Sequence, residues 1–335
     1  MIAPFVTVLI TTYNYGRFIE QAIESVLSQE YPGDRVQIVV VDDGSTDDTR
    51  EVVKKYGSRI EYYLKENGGQ GTALNLGFEK ANGEIVALLD ADDLFLSEKL
   101  RRIGEAFGRD PRLGMVYHQT REWYPESGEY REYEFFPVSG DLHKEPGRFI
   151  YYIPQPTTCV SFRRSCVAPL LPIPERIRMN ADCFLVALIP FLSPVLALPE
   201  VLSTYRIHGR NSFYPWERQT SLETRQIRKR VWQTVIEEMS DWLASHGYTR
   251  KFAPARAFLD RWNILIQTEA FAIDPPSRVQ FFTYLLKCYR YRLPLMPWKL
   301  ALINCVDAMA ALFVGYKNFP QWIKRREELL NFVRR

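Results

Sequence analysis

The sequence has 335 residues, enough for one large domain with an appendage or for two domains. Its 46% of hydrophobic and 25% of charged residues exclude disordered and fibrous classes. The net charge of +3 is too small to indicate nucleic-acid binding, so no nucleic-acid partner is predicted. Five scattered cysteines without a C-x-x-C pair argue against a disulfide framework and against structural zinc.

The first hundred residues predict strands that alternate with single helices. Short apolar, β-branched runs at 5–10, 36–41, 60–64 and 85–89 are typical of buried strands. Residues 16–29 have helical periodicity, a second helix is predicted from Ser45 or Asp47 to about 56, and a third from a glycine-rich turn to about 81. This order requires a parallel sheet with right-handed crossovers.

Polar clusters follow three of these strands, at 11–14, 42–45 and 90–93. In parallel sheets, ligands bind beyond the carboxyl ends of the strands. We therefore expect the three clusters to meet at one edge of the sheet. The glycine-rich turn, NGGQG at 67–71, allows close backbone approach to a ligand, but it lacks the residues of a P-loop and the spacing of a dinucleotide-binding loop.

The segment Asp90-Ala91-Asp92-Asp93 is the strongest chemical signal. Alternate residues of an extended chain point to the same side, so Asp90 and Asp92 can share a target. Their repulsion is relieved by a cation, and hard oxygen ligands suit Mg²⁺ or Mn²⁺ rather than zinc. The alternative is a solvated turn that caps the helix beginning near Ser97.

Beyond residue 97 the pattern is coarser. The aromatic and charged stretch 117–136 predicts a hairpin or flap, and helices are predicted at 222–245, 255–271, 277–291 and 297–316. We predict two domains: an α/β domain over 1–213, which contains the polar clusters, and a helical C-terminal region over 214–335.

Five motifs occur in order: VTVLITTYN (6–14), SVLSQ (25–29), IVVVDDGSTD (38–47), NGG (67–69) and LLDADD (88–93). Together they resemble the family 2 inverting glycosyltransferases. The resemblance implies the GT-A fold, a Rossmann-like, mostly parallel sheet flanked by helices, and transfer of a sugar from a nucleotide-diphosphate donor, by family default a UDP-sugar. The expected process is synthesis of a cell-surface polysaccharide or glycoconjugate.

The resemblance also implies roles for individual residues. Thr11, Tyr13 and Asp43 would hold the nucleotide, with Tyr13 against the base and Asp43 on its polar edge. Lys65 would lie near the base or the phosphates. Asp90 would contact the ribose or the metal, and Asp92 would be the principal ligand of Mg²⁺ or Mn²⁺.

Family members carry an acidic general base at the start of a later helix, and residues 180–188 (NADCFLVAL) resemble that element. Asp182 is therefore the candidate base, although Ala181 replaces the first member of the family's acidic pair. Capping of the helix is the alternative role for Asp182. In YRIHGRNS (205–212), His208 would complete the metal shell or bind a phosphate, and Arg206 would neutralise the leaving group. The stretch FRR (162–164) would border the acceptor site.

Residues 281–335 carry ten Lys or Arg against three acidic residues, a local balance of +7. Helices of this kind can lie on an anionic membrane, pack on the catalytic domain or form a homodimer. The N-terminus reads as lacking a signal peptide. We therefore predict a cytoplasmic protein, with peripheral contact at the inner face of the membrane as one option, and a glycan, lipid-linked or protein acceptor.

Two other functions fit parts of the pattern. A nucleotidyltransferase also combines a nucleotide, a metal and a Rossmann-like sheet, but it favours a glycine-rich first loop with basic residues, whereas this loop reads TTYN (11–14). A relative without turnover that binds a glycan or a partner is favoured by Ala181.

Overall fold

The computed structural model describes residues 3–132, 135, 137–145, 156–209, 211, 221–248, 253–290 and 298–333. The chain divides into two compact units, Met1–Arg218 and Gln219–Arg335. The first unit is an α/β fold and the second is helical. Within the described residues, every helix is too short or too polar to cross a lipid bilayer.

The first unit is built on one mixed sheet. Its described strands are β1 (Val6–Thr12), β2 (Val36–Asp42), β3 (Glu61–Leu64), β4 (Ile85–Asp90), β5 (Leu94–Phe95), β6 (Met115–Tyr124), β7 (Glu129–Glu132), β8 (Val160–Arg163) and β9 (Val195–Arg206). Their order is β3-β2-β1-β4-β8-β6-β9-β5, and β7 pairs with β6. The pairs β3-β2, β2-β1, β1-β4 and β6-β9 are parallel, whereas β8, β5 and β7 run antiparallel to their neighbours.

Helices cover both faces of this sheet because its central strands are apolar on both sides. The first-unit helices are α1 (Gly16–Leu27), α2 (Thr49–Lys54), α3 (Gln70–Lys80), α4 (Lys99–Arg109), α5 (Arg164–Val167) and α6 (Ala181–Leu188). Val8 and Ile10 of β1 face a core shared with α1, α2 and α4. Leu9 points to the opposite face, against Gly77 of α3.

The second unit has the helices α7 (Leu222–Ser245), α8 (Ala253–Ile273), α9 (Arg278–Arg290) and α10 (Trp298–Val333). The predicted end of the last helix, at 316, agrees within one residue with a break at Gly315, but a further helical segment, which was not predicted, continues to Val333. The indole N–H of Trp322 donates to Asp307 at 2.9 Å, although a straight helix would separate these residues by about 22 Å. The chain therefore folds back at Gly315, whose φ of 71° lies in the left-handed region.

Candidate active site

The carboxyl ends of three parallel strands bring the predicted polar clusters together. In the register of the sheet, Thr12 at the end of β1 pairs with Asp42 of β2, and Thr11 pairs with Asp90 of β4. The loops that follow are tied to one another, since the side-chain oxygen of Asn14 accepts from the backbone N–H of Thr46 at 2.8 Å. The expectation that these clusters share one edge of the sheet is confirmed.

The turn after β4 gives its carboxylates different surroundings. Asp93 is fully buried, and its two oxygens accept from the backbone N–H of Arg206 at 2.9 Å and from the hydroxyl of Thr158 at 2.6 Å. Burial and the charges of Asp92 and Asp90 raise the pKa of Asp93. The Asp93 carboxylate therefore holds the turn in place.

Asp92 faces the side chain of His208. Its Oδ2 lies 2.9 Å from Nε2 of His208, and the two side chains are 12% and 5% exposed. The imidazole packs against Phe18, with ring centroids 4.6 Å apart, and edge-on to Tyr15 at 5.9 Å. Burial and the charge of Asp92 raise the pKa of the Tyr15 hydroxyl, which keeps it neutral beside the carboxylates.

This pair fits a metal as two of its ligands. In the part of the chain that the structure describes, no three His, Cys, Asp or Glu side chains converge closely enough to hold an ion alone. The 2.9 Å separation of the Asp92 and His208 donor atoms nevertheless matches neighbouring ligands of an octahedral ion, which are about 3 Å apart. Ions of this kind commonly use one or two protein carboxylates and complete their shell with substrate phosphates.

Asp90, at the end of β4, interacts electrostatically with both Asp92 and Asp182. Burial raises the pKa of Asp90, the charges of Asp92 and Asp182 raise it further, and the nearby Thr157 side chain opposes the shift. The hydroxyl of Thr157 also donates to Oδ2 of Asp182 at 3.0 Å. The candidate base and the acidic turn are thus close enough to interact electrostatically and to share one contact residue.

Asp182 lies in the first turn of α6, which follows Asn180 in the left-handed region at φ 55°. It is 6% exposed, and burial raises its pKa despite the hydrogen bond from Thr157. A carboxylate with a raised pKa is better matched to taking a proton near neutral pH than an ordinary surface aspartate.

The predicted nucleotide residues differ in exposure. Tyr13 is 46% exposed beyond β1, and Thr11 is half-buried beside Asp90. Asp43 is buried and accepts from Nζ of Lys65 at 2.7 Å and from the backbone N–H groups of Gly68 and Gly69 at 2.9 and 2.7 Å. In this structure the Asp43 side chain therefore binds both Lys65 and the glycine-rich turn.

The glycine-rich turn packs closely against another part of the chain. A Cβ at Gly69 would lie 2.6 Å from the carbonyl oxygen of Arg178, and one at Gly71 would lie 2.5 Å from that of Ile177. The backbone N–H of Gln70 donates to the Arg178 carbonyl at 2.8 Å. The small residues allow α3 to pack against the segment that leads into Asp182.

Arg206 is buried beside the acidic turn. Its Nε donates to the backbone carbonyl of Asp92 at 2.7 Å, and a terminal nitrogen donates to the side chain of Gln21 at 2.6 Å. The ring centroids of Phe18 and Trp123 lie 4.7 and 4.8 Å from its guanidinium carbon. These contacts hold the Asp92 backbone. The role of Arg206 toward a leaving group stays a prediction.

The structure does not support the prediction that residues 162–164 border the acceptor site, because they lie at the opposite end of the strands from Asp90. Arg163 pairs with Ile85 at the amino end of β4, away from Asp90, and its guanidinium donates to the carbonyls of Leu113 and Phe107 at 3.1 and 2.9 Å. Sequence reasoning missed Thr157 and Thr158 altogether, because two threonines in a proline-containing loop carry no distinguishing pattern.

Comparisons with known proteins agree with this architecture. The family model "Glycosyl transferase family 2" matches residues 7–166. An uncharacterized glycosyltransferase of Nostoc sp. is 33% identical over 252 residues, which cover 72% of this chain and 77% of that protein. An uncharacterized glycosyltransferase of Rickettsia bellii is 29% identical over 257 residues, but the match spans 34% of its length.

Two solved structures share the fold at low sequence identity. TarS 1–349 of S. aureus, in complex with UDP-GlcNAc, has a TM-score of 0.56 at 18% identity, covering 96% of this chain and 91% of that one. The mannosyltransferase PcManGT of Pyrobaculum calidifontis, in complex with GDP-Man and Mn²⁺, has a TM-score of 0.54 at 20% identity, covering 93% and 88%. The Nostoc relative, the family match and the GT-A-like sheet together establish that this chain belongs to glycosyl transferase family 2.

Proposed function

We propose that this glycosyltransferase is a metal-dependent inverting enzyme that moves a sugar from a nucleotide-diphosphate donor to an acceptor hydroxyl. One observation carries the proposal: the acidic turn at Asp90–Asp93 and the buried Asp182 meet at the carboxyl edge of the sheet and share Thr157 as a contact. Family membership favours this reaction over the nucleotidyltransferase alternative.

The donor would bind along the carboxyl edge of β1, β2 and β4. Tyr13 would stack on the base, Asp43 would accept from its polar edge, and Thr11 and Lys65 would complete the nucleotide site. Because Asp43 and Lys65 now bind each other at 2.7 Å, nucleotide binding would have to share or replace that contact. UDP is the nucleotide that we favour; TarS binds UDP-GlcNAc and PcManGT binds GDP-Man, so both bases occur on this fold.

The residues at the acidic turn fit Mg²⁺ or Mn²⁺, which PcManGT binds together with GDP-Man. Asp92 and His208 would hold the ion, and Asp90 would contact it or the ribose. When bound, the ion would neutralise the charge that develops on the departing diphosphate. Arg206 would add positive charge to the same region while it holds the Asp92 backbone.

Asp182 would act on the acceptor. As the acceptor oxygen forms its bond to the anomeric carbon, its proton passes to the Asp182 carboxylate, and the bond from that carbon to the diphosphate oxygen breaks. A single displacement inverts the configuration at the anomeric carbon. The buried position of Asp182 and its raised pKa support this role over simple capping of α6.

The acceptor is proposed to be a glycan, lipid-linked or protein hydroxyl in the synthesis of a cell-surface polysaccharide or glycoconjugate. Such acceptors are often presented at a membrane. We propose a cytoplasmic location and contact of the basic C-terminal helices with the inner membrane surface.

Release of nucleotide diphosphate tests the proposed function. The full chain is incubated with a panel of UDP- and GDP-sugars in Mn²⁺, in Mg²⁺ and in EDTA, and free UDP or GDP is measured. We expect slow, metal-dependent hydrolysis of one donor, and thermal stabilisation by that donor in the presence of metal. Stabilisation by a nucleotide sugar without release from any donor would instead indicate a binding protein without turnover.

A further inference from the structure

Two adjacent threonines connect the two halves of the candidate active site. Thr157 and Thr158 lie in the short turn Thr157–Cys159 before β8, and their side chains are buried. The hydroxyl of Thr157 donates to Asp182 at 3.0 Å, and the hydroxyl of Thr158 donates to Asp93 at 2.6 Å. The Thr158 oxygen also accepts from the backbone N–H of Asp90 at 3.2 Å. The side chains of two adjacent residues therefore contact both the acidic turn and the candidate base.

Lys99 supports the turn Thr157–Cys159 from the interior of the fold. It is 0% exposed, its Nζ donates to the backbone carbonyl of Thr158, and its Nζ lies 3.4 Å from the ring centroid of Phe95. Burial lowers the pKa of Lys99 to about 7, while the neighbouring Cys159 and Asp93 oppose that shift. Burying an ammonium group is unfavourable unless it is well paired, so a lysine at this position lowers stability compared with an apolar residue. Its presence is therefore better explained by a role other than stability.

We infer that Thr157, Thr158 and Lys99 are positioning residues that set the separation between the acidic turn at the donor and Asp182 at the acceptor. The inference rests on the proposed function, because it concerns the geometry of that transfer. The separation matters because a misplacement of about 1 Å between reacting groups lowers the rate by about 100-fold. Thr157 would orient the base, and Thr158 with Lys99 would fix the turn that carries Asp92.

Paired substitutions separate the loss of a hydroxyl from a change of shape. Thr157→Val and Thr158→Val remove one hydroxyl each, and the controls Thr157→Ser and Thr158→Ser keep it. We expect Thr157→Val to lower kcat by about 10- to 100-fold with a smaller effect on the donor KM, because Thr157 donates to the base and reaches the donor site only through Asp90. We expect Thr158→Val to raise both the donor KM and the Mn²⁺ concentration for half-maximal rate by about 10-fold. Each serine variant should recover most of the loss.

Lys99→Met tests the interior support. Methionine resembles lysine in length and removes the buried ammonium group, but it leaves the Thr158 carbonyl without its donor. These two effects on stability oppose each other, so we expect the kinetic pattern of Thr158→Val with little change in Tm. If Lys99→Met lowers Tm and leaves kcat and KM unchanged, Lys99 has a structural role only and its part of the inference is overturned.

The outcomes distinguish this inference from the proposed function. Wild-type turnover, together with valine variants that match the serine variants in kcat, donor KM and Mn²⁺ dependence, would overturn the inference alone. A wild-type protein that releases no nucleotide diphosphate from any donor would overturn the proposed function and the inference with it. Tm values near that of the wild type show that the kinetic differences arise in folded protein.

Discussion

At the residue scale, the acidic turn contains carboxylates that the fold uses differently. Asp93 accepts from the Arg206 backbone and the Thr158 hydroxyl, whereas Asp92 faces the imidazole of His208. We predict that Asp92→Asn lowers the transfer rate by about 100-fold or more, because removing an electrostatic group at the leaving charge has effects of this size. The Tm should stay close to that of the wild type. Nucleotide release in Mn²⁺ and thermal unfolding are the measurements.

Asp34→Asn is the matched control for this substitution. Asp34 is exposed in the turn Gly33–Arg35, outside the candidate site, so its loss of charge should leave the rate unchanged. If Asp92→Asn retains wild-type turnover, the metal-binding role of Asp92 is wrong.

The role proposed for Asp182 predicts how kcat depends on pH. The base must be deprotonated to accept the acceptor's proton, so kcat should fall as the pH is lowered through the Asp182 pKa. Burial raises that pKa, so the fall should lie above the ordinary aspartate value of about 3.9. The measurement is the pH profile of kcat.

Asp182→Asn tests the same role without titration. Transfer should be lost while the donor still binds in calorimetry, because the base contacts the acceptor rather than the nucleotide. An equal loss of donor affinity would favour a role in the donor site or in folding.

The common location of the acidic residues that follow the strands could be predicted from the sequence. Asp43, Asp90 and Asp92 follow apolar runs, and a parallel sheet brings such ends together. Lys99 could not be predicted: a lysine in an amphipathic helix ordinarily points to solvent, and its burial follows from Thr158, which lies 59 positions away. Thr157 and Thr158 are defined by similarly long-range contacts, which a single sequence does not contain.

At the element scale, α3 and the segment before α6 pack without space for a side chain. Gly71 lies in the first turn of α3, where a Cβ would meet the Ile177 carbonyl at 2.5 Å. We predict that Gly71→Ala lowers the free energy of unfolding by about 1–3 kcal/mol, since overpacking forces the backbone apart. It should also lower kcat because the displaced segment leads into Asp182. Chemical denaturation and kinetics measure the two effects.

Gly33→Ala is the control for this prediction. Apart from its chain neighbours, no atom lies within 4 Å of a Cβ built at Gly33, so the folded protein should tolerate alanine there. Alanine should also reduce the conformational entropy of the unfolded chain, which does not lower stability. Equal stability of the two alanine variants would mean that α3 can move away from Ile177 at little energetic cost.

The elements of the first unit follow from hydrophobic periodicity, but some boundaries do not. The first, second and fourth apolar runs became β1, β2 and β4 because each is buried on both faces. The reversal at Gly315 escaped prediction, because an isolated glycine within a helical pattern is usually tolerated. The reversal uses the left-handed conformation of Gly315, and Asp307 and Trp322 bind each other across it.

At the scale of the whole molecule, the catalytic and helical units have different compositions. The local balance of +7 falls in residues 281–335, within the second unit. The first part of α10 exposes an apolar face on the side away from its buried Ala308 and Ala311. That face contains Val306, Met309 and Phe313, which are 39%, 54% and 75% exposed.

The charge and apolarity of this region support contact with an anionic membrane. Trp322 and the residues of this apolar face line one groove. The helical segment after Gly315 exposes the basic side chains of Lys317, Lys324 and Arg325. Apolar side chains that enter the interface, flanked by Lys and Arg that meet anionic headgroups, are the features of helices that lie on membranes. Each basic residue near such a surface contributes about 1 kcal/mol, an attraction that salt weakens.

We predict that the wild type co-sediments with vesicles that contain phosphatidylglycerol and not with vesicles of phosphatidylcholine alone. Phe313→Asp should reduce this binding at least about 10-fold, because it places a charge where apolar surface enters the bilayer. Leu222→Asp is the control, since Leu222 is 56% exposed on α7, outside that face. If both variants bind as the wild type does, the face does not contact lipid; if Phe313→Asp instead converts a dimer to a monomer in light scattering, a second copy of the chain covers it.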